Sequence, residues 1–435
     1  MNGARAGAFR PDESLALERD RADPLASYRA RFHLPRRPDG RPAVYFCGNS
    51  LGAQPRGVAD ELRRDLDAWA ERAVDAHFKG EAPWYGSHRA FRRVNGMLLG
   101  ARDSETVLMN GLTVNLHLMM ASFYRPGRGR SKILMEDCAF PSDTFAARSQ
   151  IRWHGLDPDR ELCIARPEED EATVRTETIL SLLEREGERI ALVLLGGVNY
   201  YTGQSFDMAR ITRAARRAGC IVGYDLAHAV GNVELDLHDW GADFAVWCTY
   251  KYLNGGPGSV AGCFVHERHG GAADLPRLAG WWGNDPDRRF RMHLDSEFLP
   301  VKGADGWQVS NPPILALAPL RASLGLFEEA GMPALRAKSI ALSGYLRSWV
   351  EHVADPRISI LTPADARESG CQVSLRVRGE AQALFEALGT AGIVGDHRQP
   401  DVVRVAPVPL YNTFHEVWRF GRALRAWSRG GTGAV

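Results

Sequence analysis

Three continuous apolar runs constrain the fold of this chain more than any other feature of its sequence. They span Ile190 to Leu195, Cys220 to Tyr224 and Phe244 to Cys248, and a helical segment from Asp207 to Ala218 separates the first two. Apolar strands that alternate with helices are typical of a parallel sheet covered on both faces. The sequence therefore predicts an α/β domain. In such sheets ligands bind at the carboxyl ends of the strands, so the residues that follow each run are candidates for a site.

The length of 435 residues predicts one large and one smaller domain rather than a single core. We expect a polar, Arg-rich N-terminal arm over residues 1–44 that packs with the small domain, and a large domain over residues 45–308. Beyond residue 303 the pattern changes to long helical segments followed by short strands. This change predicts a smaller α+β C-terminal domain over residues 309–435.

Composition narrows the class of protein. The net charge of +1 gives no electrostatic footprint for nucleic acid or for an anionic membrane. No apolar run approaches the roughly 18 residues of a spanning helix, and no secretory signal is recognisable. The seven cysteines are scattered and form no CxxC pair, which is typical of buried, reduced thiols rather than of metal ligands or disulfides. We therefore expect a cytoplasmic protein that binds no metal.

Lys251 follows the last of the three runs, in a chain that strongly prefers Arg. Lys and Arg together number 54, but the lysines are only Lys79, Lys132, Lys251, Lys302 and Lys338. Arg stays charged and cannot form an imine, whereas a desolvated Lys can lose its proton and act as a nucleophile. Lys251 is therefore a candidate nucleophile. The alternative is a lysine whose amine only reaches solvent from a strand end.

A lysine that forms an imine needs an electrophilic cofactor, and pyridoxal phosphate is the common one. Its ring nitrogen must stay protonated, and a neighbouring carboxylate raises the pKa of that nitrogen. Asp225 ends the second run, 26 residues before Lys251, and is placed for this role. His228 can orient the Asp225 carboxylate. The alternatives are a helix N-cap for Asp225 and a core histidine for His228.

The phosphate and the ring face of such a cofactor make two further demands. Backbone N–H groups at a helix N-terminus bind phosphate, and Gly111-Leu112-Thr113 lies between a predicted strand and a predicted helix. Phe140, in a loop after another strand, can stack on the ring. Taken singly, ordinary helix capping and a buried core Phe are alternatives. Together with Lys251 and Asp225, these residues indicate a cofactor site at the carboxyl edge of the sheet.

Several longer runs of the chain resemble the kynureninase family. They are Gly48-Asn-Ser-Leu-Gly, Phe140-Pro-Ser-Asp, Tyr200-Tyr-Thr-Gly-Gln, Asp225-Leu-Ala-His-Ala-Val-Gly-Asn, Thr249-Tyr-Lys-Tyr-Leu-Asn, Ser310-Asn-Pro-Pro-Ile and Arg404-Val-Ala-Pro-Val-Pro-Leu-Tyr-Asn. The resemblance extends over nearly the whole chain. It implies a fold-type-I pyridoxal phosphate enzyme with a mostly parallel, seven-stranded sheet. It also implies a cytoplasmic homodimer whose subunits share their active sites.

The activity implied by the resemblance is hydrolytic C–C cleavage of L-3-hydroxykynurenine or L-kynurenine. The products are L-alanine and 3-hydroxyanthranilate or anthranilate, in tryptophan catabolism and NAD biosynthesis. A kynureninase specialised for a further ring-substituted 3-hydroxykynurenine is an alternative. So is another enzyme of the same fold, such as a cysteine desulfurase or an aminotransferase. Desulfurases tend to have a stacking His and a catalytic Cys on a mobile loop, whereas Phe140 is the predicted stacking residue here.

The resemblance also implies roles for individual residues by matching position. Lys251 is the Schiff-base lysine, and Tyr250 is the candidate general acid–base. The implied cofactor contacts are Leu112, Thr113, Phe140, Asp143, Asp225, His228, Tyr250, Lys251, Asn311 and, from the other subunit, Trp281. The implied substrate contacts are Ser50, His77, Asn311 and Arg404, of which Arg404 holds the α-carboxylate in a bidentate manner.

Two positions bear on affinity and on substrate choice. Many relatives carry Ser or Thr where this chain has Gly196, so a hydroxyl contact to the phosphate is missing. His77 and Asn311 match members of the family that act on 3-hydroxykynurenine, and both side chains can hydrogen-bond a ring hydroxyl. The alternative for His77 is a cap on the helix predicted to end near residue 76.

Overall fold

The structure is a computed structural model that describes residues 9–127, 129–272 and 274–431. Its strands, in chain order, are β1 Phe32–His33, β2 Val44–Tyr45, β3 Gln54–Pro55, β4 Thr106–Leu108, β5 Lys132–Glu136, β6 Leu162–Ala165, β7 Ile190–Gly196, β8 Ile221–Asp225, β9 Phe244–Trp247, β10 Gly262–Val265, β11 Ile358–Ile360, β12 Val373–Val377, β13 Ile393–Val394, β14 Asp396–Arg398 and β15 Val402–Val405. Its α-helices are α1 Glu13–Ala22, α2 Val58–Arg72, α3 Arg92–Leu99, α4 Leu112–Phe123, α5 Pro141–Trp153, α6 Pro158–Glu161, α7 Thr176–Glu186, α8 Met208–Arg217, α9 Leu237–Trp240, α10 Glu267–Gly270, α11 Pro286–Arg289, α12 Ile314–Ala330, α13 Met332–Val353, α14 Ala381–Thr390 and α15 Phe414–Ser428.

Seven strands form the central sheet, in the order β4-β10-β9-β8-β7-β5-β6. β10 is antiparallel to both of its neighbours, whereas β6, β5, β7, β8 and β9 pair in parallel. The predicted α/β fold with a mostly parallel, seven-stranded sheet is therefore confirmed. Because β8 and β9 are adjacent, Asp225 and Lys251 reach the same edge of the sheet.

Both faces of the central sheet are buried, which explains the continuous apolar runs. Successive side chains of a strand point to opposite faces. In β7, Val193 and Leu195 belong to one hydrophobic core, whereas Leu192 and Leu194 belong to another. A strand with two buried faces has no polar face to show in its sequence.

A third hydrophobic core lies in the C-terminal part of the chain, around a four-stranded sheet of order β11-β12-β15-β14. Residues from the N-terminal region join this core. β2 pairs in parallel with β13, and the side chain of Phe46 is fully buried there. Helix α1 lies against α15, where the Asp20 carboxylate accepts the backbone N–H of Phe414 at 2.6 Å. The domain limits at residues 44 and 308 stay predictions.

Several local predictions can be compared with the structure. The helix predicted over residues 57–76 is α2 followed by a 3₁₀ turn at Ala73–His77, and the segment predicted over 84–99 is a 3₁₀ stretch followed by α3. The prediction that the cysteines are buried is wrong for Cys138, which is exposed. Within the described residues, no helix is both long and apolar enough to cross a lipid bilayer.

Candidate active site

The carboxyl edge of the central sheet encloses a small cavity. Its walls come from the ends of β5, β7, β8 and β9 and from the starts of α4 and α5. The lining residues are Leu112, Thr113, Glu136, Phe140, Asp143, Gly196, Val198, Tyr200, Asp225, Ala227, His228, Tyr250 and Lys251. Eight of the predicted site residues are therefore brought together in one place: Leu112, Thr113, Phe140, Asp143, Asp225, His228, Tyr250 and Lys251.

Lys251 is buried, and its amine faces the cavity. The Nζ atom lies 3.0 Å from Nε2 of His228 and 5.6 Å from the centroid of the Phe140 ring. Burial and the charge of Lys251 hold the pKa of His228 well below its usual value, so this imidazole is neutral at physiological pH. Among the described residues, the hydrogen-bond partner of this amine is a neutral imidazole rather than a carboxylate, which suits a nucleophile.

Asp225 ends β8, and its Oδ1 atom accepts the backbone N–H of Ala227 at 2.7 Å. Burial raises the pKa of Asp225, and the hydrogen bonds from Ala227 and Asp143 and the charge of Lys251 offset this only in part. Burial and the neighbouring Asp225 also raise the pKa of Asp143 well above its usual value. The two neighbouring carboxyl groups therefore carry less than the two negative charges that they would have if both were ionised.

The expectation that His228 orients the Asp225 carboxylate is wrong. The side-chain partner of Asp225 is Asp143, from the first turn of α5, whereas Nε2 of His228 contacts Lys251. Nδ1 of His228 and Oδ1 of Asp143 are buried without a hydrogen-bond partner among the described residues. Buried polar atoms of this kind are costly to leave unpaired.

Gly196, where many relatives have Ser or Thr, lies against the side chain of Glu136. A Cβ atom at this position would lie 2.9 Å from Oε1 of Glu136, while the Gly196 N–H points at both carboxylate oxygens of Glu136, each at 3.2 Å. Glu136 is a wall residue that the sequence analysis did not single out. A carboxylate at the end of an apolar strand, as at Asp225, is the signal that could have found it.

The opposite wall of the cavity is formed by the start of α4. Gly111 is the N-cap residue and offers no side-chain cap, so the first amides of this helix remain available to an anion. Oγ1 of Thr113 lies 3.1 Å from Oγ of Ser142. Burial raises the pKa of Tyr250, so its phenol keeps its proton and can donate a hydrogen bond.

Phe140 lies at the N-terminus of α5, lines the cavity and is 43% exposed. The ring of Tyr200 meets it edge-on, with centroids 5.2 Å apart. Tyr200 is a second wall residue that sequence reasoning missed. It links the cavity to Arg404, whose Nη1 donates to the Tyr200 carbonyl at 2.6 Å.

Arg404 lies in β15 and is 1% exposed. Its Nε and Nη2 atoms lie 3.0 and 2.9 Å from Oδ1 of Asp396, and Oγ of Ser50 donates to Oδ2 of the same Asp396 at 3.3 Å. Arg398 binds this carboxylate as well, with Nε 2.9 Å from Oδ1. The two predicted substrate residues Arg404 and Ser50 therefore meet at a shared carboxylate, Asp396, that was not predicted.

Five predicted residues do not line the cavity of this chain: Ser50 and Arg404, which meet at Asp396, and His77, Trp281 and Asn311. His77 ends the 3₁₀ turn after α2 and packs against Trp84, with ring centroids 5.3 Å apart. Trp281 packs against Trp282 and Phe290, and Asn311 is exposed. Their assignment to the cofactor and the substrate stays a prediction.

The cavity fits pyridoxal phosphate. A lysine, a carboxyl group on the sheet edge, an aromatic face and an uncapped helix N-terminus surround one small space. The unpaired buried atoms of His228 and Asp143 provide polar contacts that a ligand would complete. Lys251 would hold the cofactor carbonyl, Asp225 its ring nitrogen, and the start of α4 its phosphate.

Comparison with solved structures defines the class of the protein. The chain is similar to the apo form of a cysteine desulfurase from Thermococcus onnurineus NA1, with a TM-score of 0.72, 16% identity and coverage of 89% of this chain and 95% of that chain. It is similar to a C-DES mutant with glycine covalently linked to its PLP cofactor, with a TM-score of 0.70, 17% identity and coverage of 87% and 96%. The fold is that of the fold-type-I pyridoxal phosphate enzymes, and pyridoxal 5'-phosphate is the cofactor.

Comparison with curated proteins defines the family. Residues 335–424 match the sequence model of the kynureninase C-terminal domain. The chain is 52% identical over 421 residues to a kynureninase of Myxococcus xanthus, covering 97% of this chain and 98% of that protein. It is 51% identical over 415 residues to a kynureninase of Koribacter versatilis, covering 95% and 97%. The chain belongs to the kynureninase family.

Proposed function

We propose that this enzyme hydrolyses L-3-hydroxykynurenine, and L-kynurenine less efficiently, to the corresponding anthranilate and L-alanine. The observation that carries the proposal is the link between the cofactor cavity and a buried guanidinium. Tyr200 lines the cavity beside Lys251, and its carbonyl holds Nη1 of Arg404. An amino acid joined to the cofactor through its amine would have its α-carboxylate within the same neighbourhood, where an arginine can bind it.

Pyridoxal phosphate, when bound, withdraws electrons from the substrate carbon attached to the amine and so makes its bonds easier to break. The chain supplies the proton transfers. Lys251 accepts and returns a proton at the substrate α-carbon, and its amine lies 3.0 Å from Nε2 of the neutral His228. Tyr250, whose phenol stays protonated, is the candidate acid–base for hydration of the aryl ketone.

The substrate end of the site is held by Arg404 and Ser50. Both side chains contact Asp396, which orients the guanidinium of Arg404 and balances part of its charge. The guanidinium keeps additional N–H groups for a ligand, because an arginine carries five donors. We expect Arg404 to bind the α-carboxylate and Ser50 to line the adjacent wall.

The proposal includes a cytoplasmic homodimer with shared active sites. His77 and Trp281 belong to one aromatic surface, in which the rings of Phe78 and Phe290 are 5.9 Å apart and more than half exposed. Exposed aromatic side chains of this size are typical of protein contacts. We expect this surface to bring Trp281, and with it His77 and Asn311, to the neighbouring subunit's cofactor and substrate.

The test is an absorbance spectrum of the purified protein with pyridoxal phosphate, followed by kcat/KM for both substrates. We expect a bound-cofactor band that Lys251→Ala changes, release of L-alanine, and a higher kcat/KM for 3-hydroxykynurenine. A protein that binds the cofactor but releases no L-alanine from either substrate would contradict the proposed reaction. Release of sulfur from cysteine would instead support the desulfurase alternative.

A further inference from the structure

Glu136 is a third carboxyl group at the cofactor cavity, next to Asp143 and Asp225. It is the last residue of β5 and is 3% exposed. The three acids come from different elements: the end of β5, the first turn of α5 and the end of β8. Three acids brought into one buried wall by separate elements are a costly arrangement unless some of them are neutral.

Few hydrogen-bond donors, and no paired arginine, contact these three carboxyl groups among the described residues. The Gly196 N–H lies 3.2 Å from both oxygens of Glu136, and the other donors to this side chain are its own backbone N–H and the Asn199 amide. Asp225 accepts one backbone N–H, from Ala227, and Oδ1 of Asp143 has no partner among the described residues. Carboxylates that remain ionised when buried are usually bound by two or three N–H groups or by a cation.

The charged groups around Glu136 are mostly acids. Asp225, Asp143 and Cys138 face it. Burial and the charge of Asp225 raise the pKa of Glu136 to about 7, and the hydrogen bonds from its own N–H, from Gly196 and from Asn199 offset this only in part. His228, Tyr250 and Lys251 lie on other walls of the cavity. Lys251 acts on Asp143 and Asp225, and its charge lowers the pKa of both. Glu136 is therefore the acid of the three with the least cationic support.

We propose that Glu136 is a positioning residue that stands as a neutral acid in the cofactor site, so that the three acids present one negative charge, shared by Asp143 and Asp225, to the cofactor ring. This inference rests on the cofactor site assigned above. A single charge matches the single proton that the ring nitrogen must hold. The side chain also fills the space that a residue larger than Gly196 would take, since a Cβ there would lie 2.9 Å from Oε1.

The first test uses the apoprotein and needs no activity. Folded Glu136 keeps its proton to about pH 7, against an ordinary pKa of 4.5, so the native state binds more protons between these values. The wild type therefore loses stability as the pH rises through this range. Glu136→Gln is neutral at every pH and removes this loss. We expect the Tm of the variant, relative to wild type, to be higher at pH 8 than at pH 5.

Glu105→Gln is the matched control, because Glu105 is also buried but has a fuller set of hydrogen-bond partners. It accepts the backbone N–H of Arg102 at 2.8 Å and of Glu267 at 2.7 Å and lies 2.9 Å from Nδ1 of His238. We expect this variant to be destabilised at both pH values. If the Tm of Glu136→Gln differs from wild type by the same amount at pH 5 and pH 8, Glu136 does not titrate as proposed.

The second test is the affinity of the apoprotein for pyridoxal phosphate at pH 6.5, followed by tryptophan fluorescence. A neutral amide should replace a neutral acid, so we expect the affinity of Glu136→Gln to stay within about threefold of wild type. Asp225→Asn should weaken binding by about tenfold or more, a factor that corresponds to one pKa unit. A tenfold or greater loss of affinity in Glu136→Gln would contradict the proposal that Glu136 is a neutral acid. Unchanged binding in Asp225→Asn would instead remove the site assignment itself.

Discussion

A buried aspartate lies at each end of the central sheet, and the two differ in their hydrogen-bond partners and in the direction of their pKa shifts. At the amino end, Asp243 precedes β9 and accepts hydrogen bonds from the Val222 N–H at 2.7 Å, from Arg268 at 2.6 Å and from His269 at 2.7 Å. At the carboxyl end, Asp225 accepts one backbone N–H. Although burial alone would raise the pKa of Asp243, His269 and Arg268 hold it below its usual value, whereas the pKa of Asp225 is raised.

The same contrast holds for the two buried lysines. Lys338 pairs with Asp23 at 2.7 Å, and both side chains are nearly inaccessible. Lys251 is also buried, but within the described part of the chain its amine meets only a neutral imidazole at hydrogen-bond distance. Buried groups with a complete set of partners stabilise the fold. Buried groups at the carboxyl edge whose partners are incomplete can bind a ligand. Burial alone does not separate the two kinds of residue; the completeness of the partners does.

The largest expected effect comes from the two lysines. Lys251→Ala should abolish turnover, because the covalent bond to the cofactor and the proton transfer at the α-carbon are both lost. Lys338→Met should keep the cofactor spectrum and lower stability, because Asp23 is left buried without its cation, at a cost of about 3–5 kcal/mol. The measurements are single-turnover product release and thermal unfolding. A spectral change in Lys338→Met that matches the change in Lys251→Ala would break the comparison.

Asp225→Asn should lower kcat by about 10²–10³-fold, which corresponds to about 3–4 kcal/mol of lost transition-state stabilisation. The apoprotein should not be destabilised near neutral pH. The native state of the wild type keeps a proton on Asp225 to a higher pH than the unfolded chain does, so ionisation above the ordinary pKa of 3.8 costs the native state stability. Asparagine removes that cost. Steady-state kinetics and the Tm of the apoprotein at pH 7 test both parts.

Asp243→Asn should behave in the reverse manner. The lowered pKa of Asp243 gives stability that is present above pH 3.8 and is lost as the pH falls through the native pKa. The substitution should cost about 2–3 kcal/mol near neutral pH, because hydrogen bonds to charged partners are weakened. We expect kcat/KM of the folded fraction to change little. A kcat loss as large as that of Asp225→Asn would mean that the two ends of the sheet are not functionally distinct.

Arg404→Lys should raise KM about 10–100-fold with a smaller change in kcat, since a lysine cannot reproduce a bidentate contact to a carboxylate. The matched control is Arg398→Lys, which also binds Asp396 but is more exposed. We expect a weaker effect on KM there. Initial-rate kinetics of both variants measure these effects. Equal effects on KM would show that the substrate carboxylate is bound by the charged group around Asp396 as a whole rather than by Arg404.

The smallest expected effect concerns the ring hydroxyl. Asn311→Thr should reduce the preference for 3-hydroxykynurenine over kynurenine by about 5–10-fold, because one buried hydrogen bond is worth about 1–1.5 kcal/mol. The ratio of kcat/KM for the two substrates measures this. An unchanged ratio would show that Asn311 and its proposed partner His77 do not contact the ring hydroxyl.

The sequence predicted the fold and half of the site for a physical reason. Apolar strands buried on both faces have a strong signal, and Asp225 and Lys251 stand out because they end such strands. Glu136 ends a strand as well, but nothing in the sequence says that its oxygens meet the Gly196 N–H. Tyr200 and Asp396 act through a carbonyl contact and an ion pair with Arg404, and both depend on packing between distant parts of the chain. The role of His228 was mistaken because adjacency in sequence does not fix which atom a side chain meets.

The pairing of β2 with β13 fixes the segment that links Asp396 to the backbone of Lys251. Ser50 follows β2 and contacts Asp396, the same carboxylate that Arg404 binds. Two residues later the N–H of Gly52 donates to the Tyr250 carbonyl at 2.8 Å, and a Cβ there would lie 2.3 Å from the Lys251 carbonyl. A residue larger than glycine at position 52 would therefore push the segment that carries Ser50 away from the backbone of Lys251, and so change the distance between the carboxylate-binding residues and the lysine.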